Sequence, residues 1–128
     1  MAYDFLKNKT FLIVDDEQAT VDIVKEVLKQ NGATGTGVVN PSLVSNMLAK
    51  ETFDCVVLDR YMPQMDGHDV LKSIKSNNKT SIIPVIMLTG ERQVFEIQTS
   101  LSLGASGYVV KPFTPKSFLS QLKKNSGC

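Results

Sequence analysis

Four short stretches of this 128-residue chain hold the side chains best equipped for chemistry: Asp15-Asp16-Glu17, Asp59, Thr89-Gly90-Glu91 and Lys111-Pro112. Each stands at the end of an apolar run, and a buried run that ends on a charge delivers that charge to a particular place. Carboxylates held a few ångströms apart repel by about 4 kcal/mol per pair at an effective dielectric of about 20, so keeping Asp15, Asp16 and Asp59 all ionised requires a cation. A hard divalent ion such as Mg²⁺ suits these donors, because it takes oxygen ligands, retains waters and binds one or two carboxylates alongside phosphate oxygens. One carboxylate then stays available as a nucleophile toward phosphorus, giving an acyl phosphate. The metal, the Lys111 ammonium and the Thr89 hydroxyl supply the charge neutralisation and positioning that phosphoryl transfer needs.

This chemistry requires that the four stretches meet in space, which depends on the elements that carry them. Short β-branched runs (TFLIVDD 10–16, TGTGVV 34–39, DCVVLD 54–59, IPVIML 83–88, GYVV 107–110) alternate with stretches whose apolar residues recur at helical spacing. The helical stretch 18–30 contains the i,i+4 pairs Ile23/Val27 and Val24/Leu28 and ends at Asn31-Gly32. Asn40 and Pro41 open a second helix over 41–50, and Thr114 and Pro115 open the fifth over 115–124. Helices over about 68–76 and 91–103 complete the set. The second strand is the weakest, because two glycines lower its propensity. Strands that are apolar on both faces belong to parallel sheets covered by helices on each side, so five βα units imply an α/β, doubly wound sheet. In such a sheet all strand carboxyl ends open onto one crevice, and the four polar stretches become neighbours.

The bulk composition sets wide bounds. The length fits one folding unit with its own core, and a single domain over 1–128 is expected. A formal net charge of +1, with no basic run interleaved with aromatics, gives no footprint for nucleic acid. The apolar runs are too short to cross a bilayer, so no membrane insertion is expected. Residues 1–10 lack the apolar core and cleavage site of a secretory signal, which points to the cytoplasm. Cys55 and Cys128 have neither metal-ligand spacing nor a disulfide framework and read as thiols in a reducing compartment.

Asp15-Asp16, Asp59 within D-x-x-M-P-x-M-D-G, Thr89 within LTG and Lys111 within GASGYVVKPF together resemble the receiver domain of bacterial two-component response regulators. The resemblance spans about residues 9–125 and extends to chemotaxis-type and other single-domain regulators. It implies a flavodoxin-like sheet of five parallel strands in the order 2-1-3-4-5 with five helices. It also implies a phosphorylation-activated switch rather than a conventional enzyme, although such a domain catalyses its own phosphorylation and dephosphorylation. Asp59 would accept phosphate from a phosphohistidine on a sensor histidine kinase or histidine phosphotransfer protein. Mg²⁺ would be held by Asp16, Asp59 and the main-chain carbonyl of Tyr61, with Asp15 orienting a metal-bound water. Lys111 would pair with the phosphoryl group ahead of a cis bond to Pro112. Thr89 and Tyr108 match the switch pair, whose rearrangement would alter the surface of the fourth helix, fifth strand and fifth helix for a downstream target protein. Tyr61 and Glu91 occupy the positions that tune the lifetime of the acyl phosphate, and the bulk of Tyr61 is expected to hinder the hydrolytic water.

Other residues read more plainly. His68, the sole histidine, has no second His or Cys nearby and is expected to be an exposed polar residue. Met62 and Met65 read as packing for the turn rather than as soft-metal ligands. Glu91 also fits a solvated acid in the first turn of a helix. An aspartate-nucleophile phosphatase of the haloacid-dehalogenase type would need an acid two residues after the nucleophile, where Tyr61 stands. A flavodoxin-type flavin module would need a hydroxyl- and glycine-rich loop after the first strand, where Asp15-Asp16-Glu17 stands. A degenerate receiver used as a constitutive binding module would ordinarily lack Asp59 or Lys111, and both are present.

Overall fold

A computed structural model gives the three-dimensional arrangement, with residues 3–90 and 94–125 described. After a 3₁₀ turn at Asp4–Leu6 the elements alternate without exception. They are β1 (Thr10–Val14), α1 (Gln18–Gln30), β2 (Thr34–Val38), α2 (Val44–Lys50), β3 (Cys55–Asp59), α3 (Gly67–Ser76), β4 (Val85–Thr89), α4 (Val94–Ser102), β5 (Gly107–Val110) and α5 (Pro115–Asn125). The five strands form one parallel sheet in the order β2-β1-β3-β4-β5. The doubly wound reading of the sequence and the strand order implied by the resemblance both hold.

Strand period separates the core into two layers. Phe11, Ile13, Cys55, Val57, Ile86 and Leu88 point to the face covered by α1 and α5, where they meet Val24, Leu28, Phe118 and Leu122. Leu12, Val14, Val56, Leu58, Val85 and Met87 point to the opposite face and pack on Val70, Leu71 and Ile74 of α3. Alternate side chains of a strand face opposite ways, so these central strands are apolar throughout because both faces are covered. α1 lies where its periodicity placed it, with one difference: Val21, Val24, Val27 and Leu28 are its buried residues, whereas Ile23 is half exposed.

The glycines of β2 have a packing reason. A Cβ at Gly37 would lie 2.3 Å from Cγ1 of Val21, and one at Gly35 would lie 2.7 Å from Cδ1 of Ile13. They let α1 settle close on the edge strand, so their low strand propensity is offset by packing. The second helix starts later than its composition suggests. The Asn40 side chain does cap, accepting from the Ser42 amide at 3.0 Å, but the turn it caps is the 3₁₀ stretch Pro41–Leu43 ahead of α2. Thr114 and Ser117 cap α5 reciprocally, each side-chain oxygen accepting from the other's backbone amide at 3.0 and 2.9 Å. β4 begins at Val85 rather than at residue 83, because the Ile83 amide is spent on a turn to Thr80 and Pro84 has none to give. The first residues of the expected fourth helix, 91–93, lie outside the described residues.

Candidate functional site

The site collects where four strands end. β3 delivers Asp59 with its side chain only 8% exposed. One position past β1, Asp15 is fully buried; its amide donates to the Val38 carbonyl at 3.1 Å, and its Oδ1 accepts from the Glu17 amide at 3.0 Å. Asp16 follows, half buried. β4 ends on buried Thr89, whose carbonyl accepts from the Lys111 amide at 2.7 Å, so the ends of β4 and β5 are stitched together. Lys111-Pro112 is a cis bond, as the resemblance implied.

Three carboxylates converge. One oxygen each from Asp15, Asp16 and Asp59 lie within 4.8 Å of one another, and no other group of three His, Cys, Asp or Glu side chains does so among the described residues. The Lys111 ammonium bridges two of them, 2.8 Å from Oδ2 of Asp15 and 3.2 Å from Oδ1 of Asp59, with Glu17 farther off at 3.9 Å. One ammonium against three carboxylates leaves excess negative charge. Burial, then the charge of Asp15, outweigh Lys111 and lift the Asp59 carboxyl from an ordinary 3.8 to about 6. Burial works against the charge on Lys111, yet its hydrogen bond to Asp15 and the charges of Asp15 and Asp59 carry it above the usual lysine range. An all-oxygen donor set with surplus negative charge fits a hard divalent cation such as Mg²⁺.

The loop from β3 to α3 is folded back on the acceptor strand. The Gly67 amide donates to the Arg60 carbonyl at 2.7 Å, and a Cβ at Gly67 would lie 2.1 Å from the Asp59 carbonyl oxygen. Only glycine permits that approach. Asp66 caps α3 by accepting from the His68 amide at 2.8 Å. Met62 is buried in the second core layer, as a turn-packing role requires, whereas Met65 is partly exposed.

Tyr61 is 54% exposed, and the Arg60 guanidinium sits 4.8 Å from its ring centroid. Tyr108 is half buried against the α3 layer, with Met87 as its register partner on β4. Glu91 lies outside the described residues, as does Cys128, while Cys55 is buried in β3.

The expectation for His68 fails. His68 is buried, with Nε2 2.7 Å from Oγ of Ser100 on α4, and burial, followed by the charge of Arg60, holds its pKa below the usual value. Ser100, on α4, reaches the ring at the start of α3 and gives it a partner. Sequence reading also missed Arg60. Its guanidinium takes both carboxylate oxygens of Asp66, Nε to Oδ1 at 2.8 Å and Nη2 to Oδ2 at 3.3 Å, and its Nη1 pairs with Glu96 on α4. The Asp66 hydrogen bond raises Arg60 above its ordinary value; for Asp66 burial is the largest single influence and raises it, but the Arg60 hydrogen bond, the His68 amide and the Arg60 charge together outweigh burial and lower the carboxyl.

The family model for the response regulator receiver domain matches residues 11–123. The chain belongs to the receiver domain family. It is 39% identical over 119 residues to chemotaxis protein CheY-3 of Vibrio cholerae, spanning 92% of each chain. It is 34% identical over 116 residues to the regulatory protein VanRc of Enterococcus gallinarum, covering 91% of this chain and 49% of that longer one. Among solved structures, the chemotaxis response regulator CheY4 of Vibrio cholerae matches with a TM-score of 0.86 at 27% identity, covering 92% of this chain and 98% of that one. A CheY-like receiver from Methanospirillum hungatei matches with a TM-score of 0.81 at 27% identity, covering 92% and 93%. Membership makes this a phospho-acceptor domain of two-component signalling, which works with kinases and downstream targets and is not a conventional enzyme. Among the described residues no helix is long and apolar enough to cross a membrane.

Proposed function

We propose that this receiver takes a phosphoryl group from the phosphohistidine of a sensor histidine kinase or histidine phosphotransfer protein onto Asp59. The observation that carries this reading is the convergence of Asp15, Asp16 and Asp59 at one crevice with Lys111 bridging two of them. An Asp59 carboxylate oxygen attacks phosphorus in line; the new P–O bond forms as the P–N bond breaks, and the imidazole leaves as the donor's neutral histidine once protonated from water. Asp15, Asp16, Asp59 and the Tyr61 carbonyl would hold Mg²⁺, which when bound neutralises charge on the phosphoryl oxygens. Lys111 exchanges its contact with Asp59 for a phosphoryl oxygen while keeping Asp15, so its ammonium stays neutralised throughout. The Thr89 hydroxyl then turns to another phosphoryl oxygen, and Tyr108 follows inward.

That movement biases two packings of the same chain. Its outlet is the surface of α4, β5 and α5, where half-buried Tyr108 sits on β5 and Phe95 and Leu101 stand exposed on α4. A downstream target protein docks there. The whole chain acts as one receiver in the cytoplasm, where its donor's phosphohistidine is found. Tyr61 and Glu91 set the lifetime of the acyl phosphate, which the chain also hydrolyses.

The test is intact mass after incubation with Mg²⁺ and acetyl phosphate, beside Asp59→Asn. One phosphoryl group on the parent and none on the variant is expected. If acetyl phosphate fails, a phosphorylated kinase serves as donor; failure with both transfers the reading to a constitutive binding module.

A further inference from the structure

We infer that Arg60 and Glu96 form a latch that holds α4 against the acceptor loop and thereby opposes phosphorylation of Asp59. The inference rests on the receiver chemistry proposed above and concerns the regulation of that site. Arg60 directly follows Asp59, yet its side chain turns away from the reacting carboxylate and reaches α4. It makes four side-chain hydrogen bonds at once: two to Asp66, which caps α3, one to Glu96 in the first turn of α4, and a long one to the Tyr61 hydroxyl at 3.5 Å. One guanidinium therefore fastens the residue after the acceptor, the start of α3 and the start of α4 together. A second bond in the same seam, His68 to Ser100, lies one turn farther along α4.

The geometry makes the latch selective for one position of α4. Arg60 is anchored at both ends of its loop, by its own carbonyl to the Gly67 amide and by its amide to the Leu88 carbonyl at 3.3 Å. Its fork is fixed on Asp66 in the two-pronged geometry that only a guanidinium provides. With Arg60 fixed, Glu96 keeps its bond only while α4 stays in place, because hydrogen bonds weaken steeply once donor and acceptor part by more than a few tenths of an ångström. Arg60 and Glu96 are both mostly shielded, with side chains 17% and 27% exposed, so water competes weakly for the pair. Thr89 ends β4, whose continuation enters α4. A pull on Thr89 by a phosphoryl oxygen draws on the same helix that Glu96 anchors. A contact that favours the undisplaced helix lowers the population of the displaced one, and by linkage it lowers the tendency of Asp59 to hold a phosphoryl group.

Two measurements on Glu96→Gln test the latch. This variant keeps the shape of Glu96 and touches none of the reacting atoms. Amide hydrogen exchange across residues 94–102 of the unmodified protein should speed up, and labelling by acetyl phosphate with Mg²⁺ should become about threefold to tenfold faster, as expected for losing one part-shielded ion pair. In an Arg60→Gln background the same substitution should have no further effect on either reading. A Glu96→Gln chain that labels at the parent rate or more slowly, or a Glu96→Gln substitution whose effect is as large in the Arg60→Gln background as in the parent, overturns the latch while leaving the acceptor chemistry intact. A parent that takes no phosphoryl group from either donor overturns the receiver chemistry and the latch with it.

Discussion

Replacing Asp59 with asparagine should stabilise the metal-free protein at neutral pH. The Asp59 carboxyl titrates at about 6 in the fold, against an ordinary 3.8, because it is buried beside Asp15 and only partly compensated by Lys111. Between those two values the folded chain binds more protons at this position than the unfolded chain, so stability falls as pH rises. Below the lower value both forms are protonated and the penalty is absent; above the upper value both are ionised and it stays at its full size. A difference of roughly two pH units is worth about 3 kcal/mol. The opposing pull of Lys111 is already contained in that shift, and the asparagine amide oxygen can still accept from its ammonium. The gain is therefore about 3 kcal/mol at neutral pH, or roughly 12 °C in melting temperature for a domain of this size.

Urea denaturation of parent and Asp59→Asn in chelator, across a pH series from about 4 to about 7.5, measures this directly. The asparagine variant should show no advantage at the acid end, gain it through the interval between the two titration values, and hold it above. Adding Mg²⁺ should then close the gap from the other side. A ligand at about one hundred times its dissociation constant stabilises the parent by ~2.7 kcal/mol, and the variant lacks one of the three carboxylates that would hold it. A variant less stable than the parent at neutral pH in chelator would refute the electrostatic account of the crevice. So would a difference that stays constant across the series.

Three further substitutions probe the same architecture. Gly67→Ala forces a methyl to within 2.1 Å of the Asp59 carbonyl oxygen and should cost about 3 kcal/mol or more, read as a lowered urea midpoint; an unchanged midpoint would show that the loop yields freely. Lys111→Ala removes the cation that lowers Asp59, so the Asp59 carboxyl should titrate above its present value of about 6, observable by carbon NMR of the metal-free protein; a titration at or below that value would contradict the proposed balance of charges. Tyr61→Asn should release the phosphoryl group severalfold faster than the parent, measured by loss of the phosphorylated mass, and a rate equal to or below the parent's would remove steric hindrance as the role of this exposed ring.

Much of this was legible in the sequence, for a physical reason. A doubly wound sheet buries both faces of its strands and opens all their carboxyl ends to one crevice, so an apolar run broken by an acid or a lysine announces both the strand and the site. Asp15, Asp59, Thr89 and Lys111 follow that rule, and the fold brings them within bonding distance in pairs. The β2 glycines were harder to interpret. They look like weak strand formers, and only the close approach of Val21 shows that the space of a side chain is already taken. The start of the second helix was blurred for a local reason. Asn40 closes a tight turn by its own side chain, and that turn competes with the α-helical turn its composition also allows.

What the sequence withheld is how α4 is fastened to the rest. Arg60 and Glu96 stand 36 positions apart, and His68 and Ser100 stand 32 apart. Neither pair has a period, a motif or a cap to announce it, and each residue taken alone fits a solvated surface equally well. Strand ends are constrained by a rule shared across the fold, so they can be read one chain at a time. The seam between α3 and α4 is constrained only by pairwise side-chain choices, which free the chain to set how firmly its moving helix is held. Two receivers with the same Asp59 chemistry can therefore differ in how readily they accept a phosphoryl group, and the seam rather than the crevice is where that difference would be built. Exchanging Arg60 and Glu96 together for an apolar pair of similar volume would test this. It should leave the titration of Asp59 near its parent value of about 6 while shifting the labelling rate, whereas a change in both would place the control in the crevice itself.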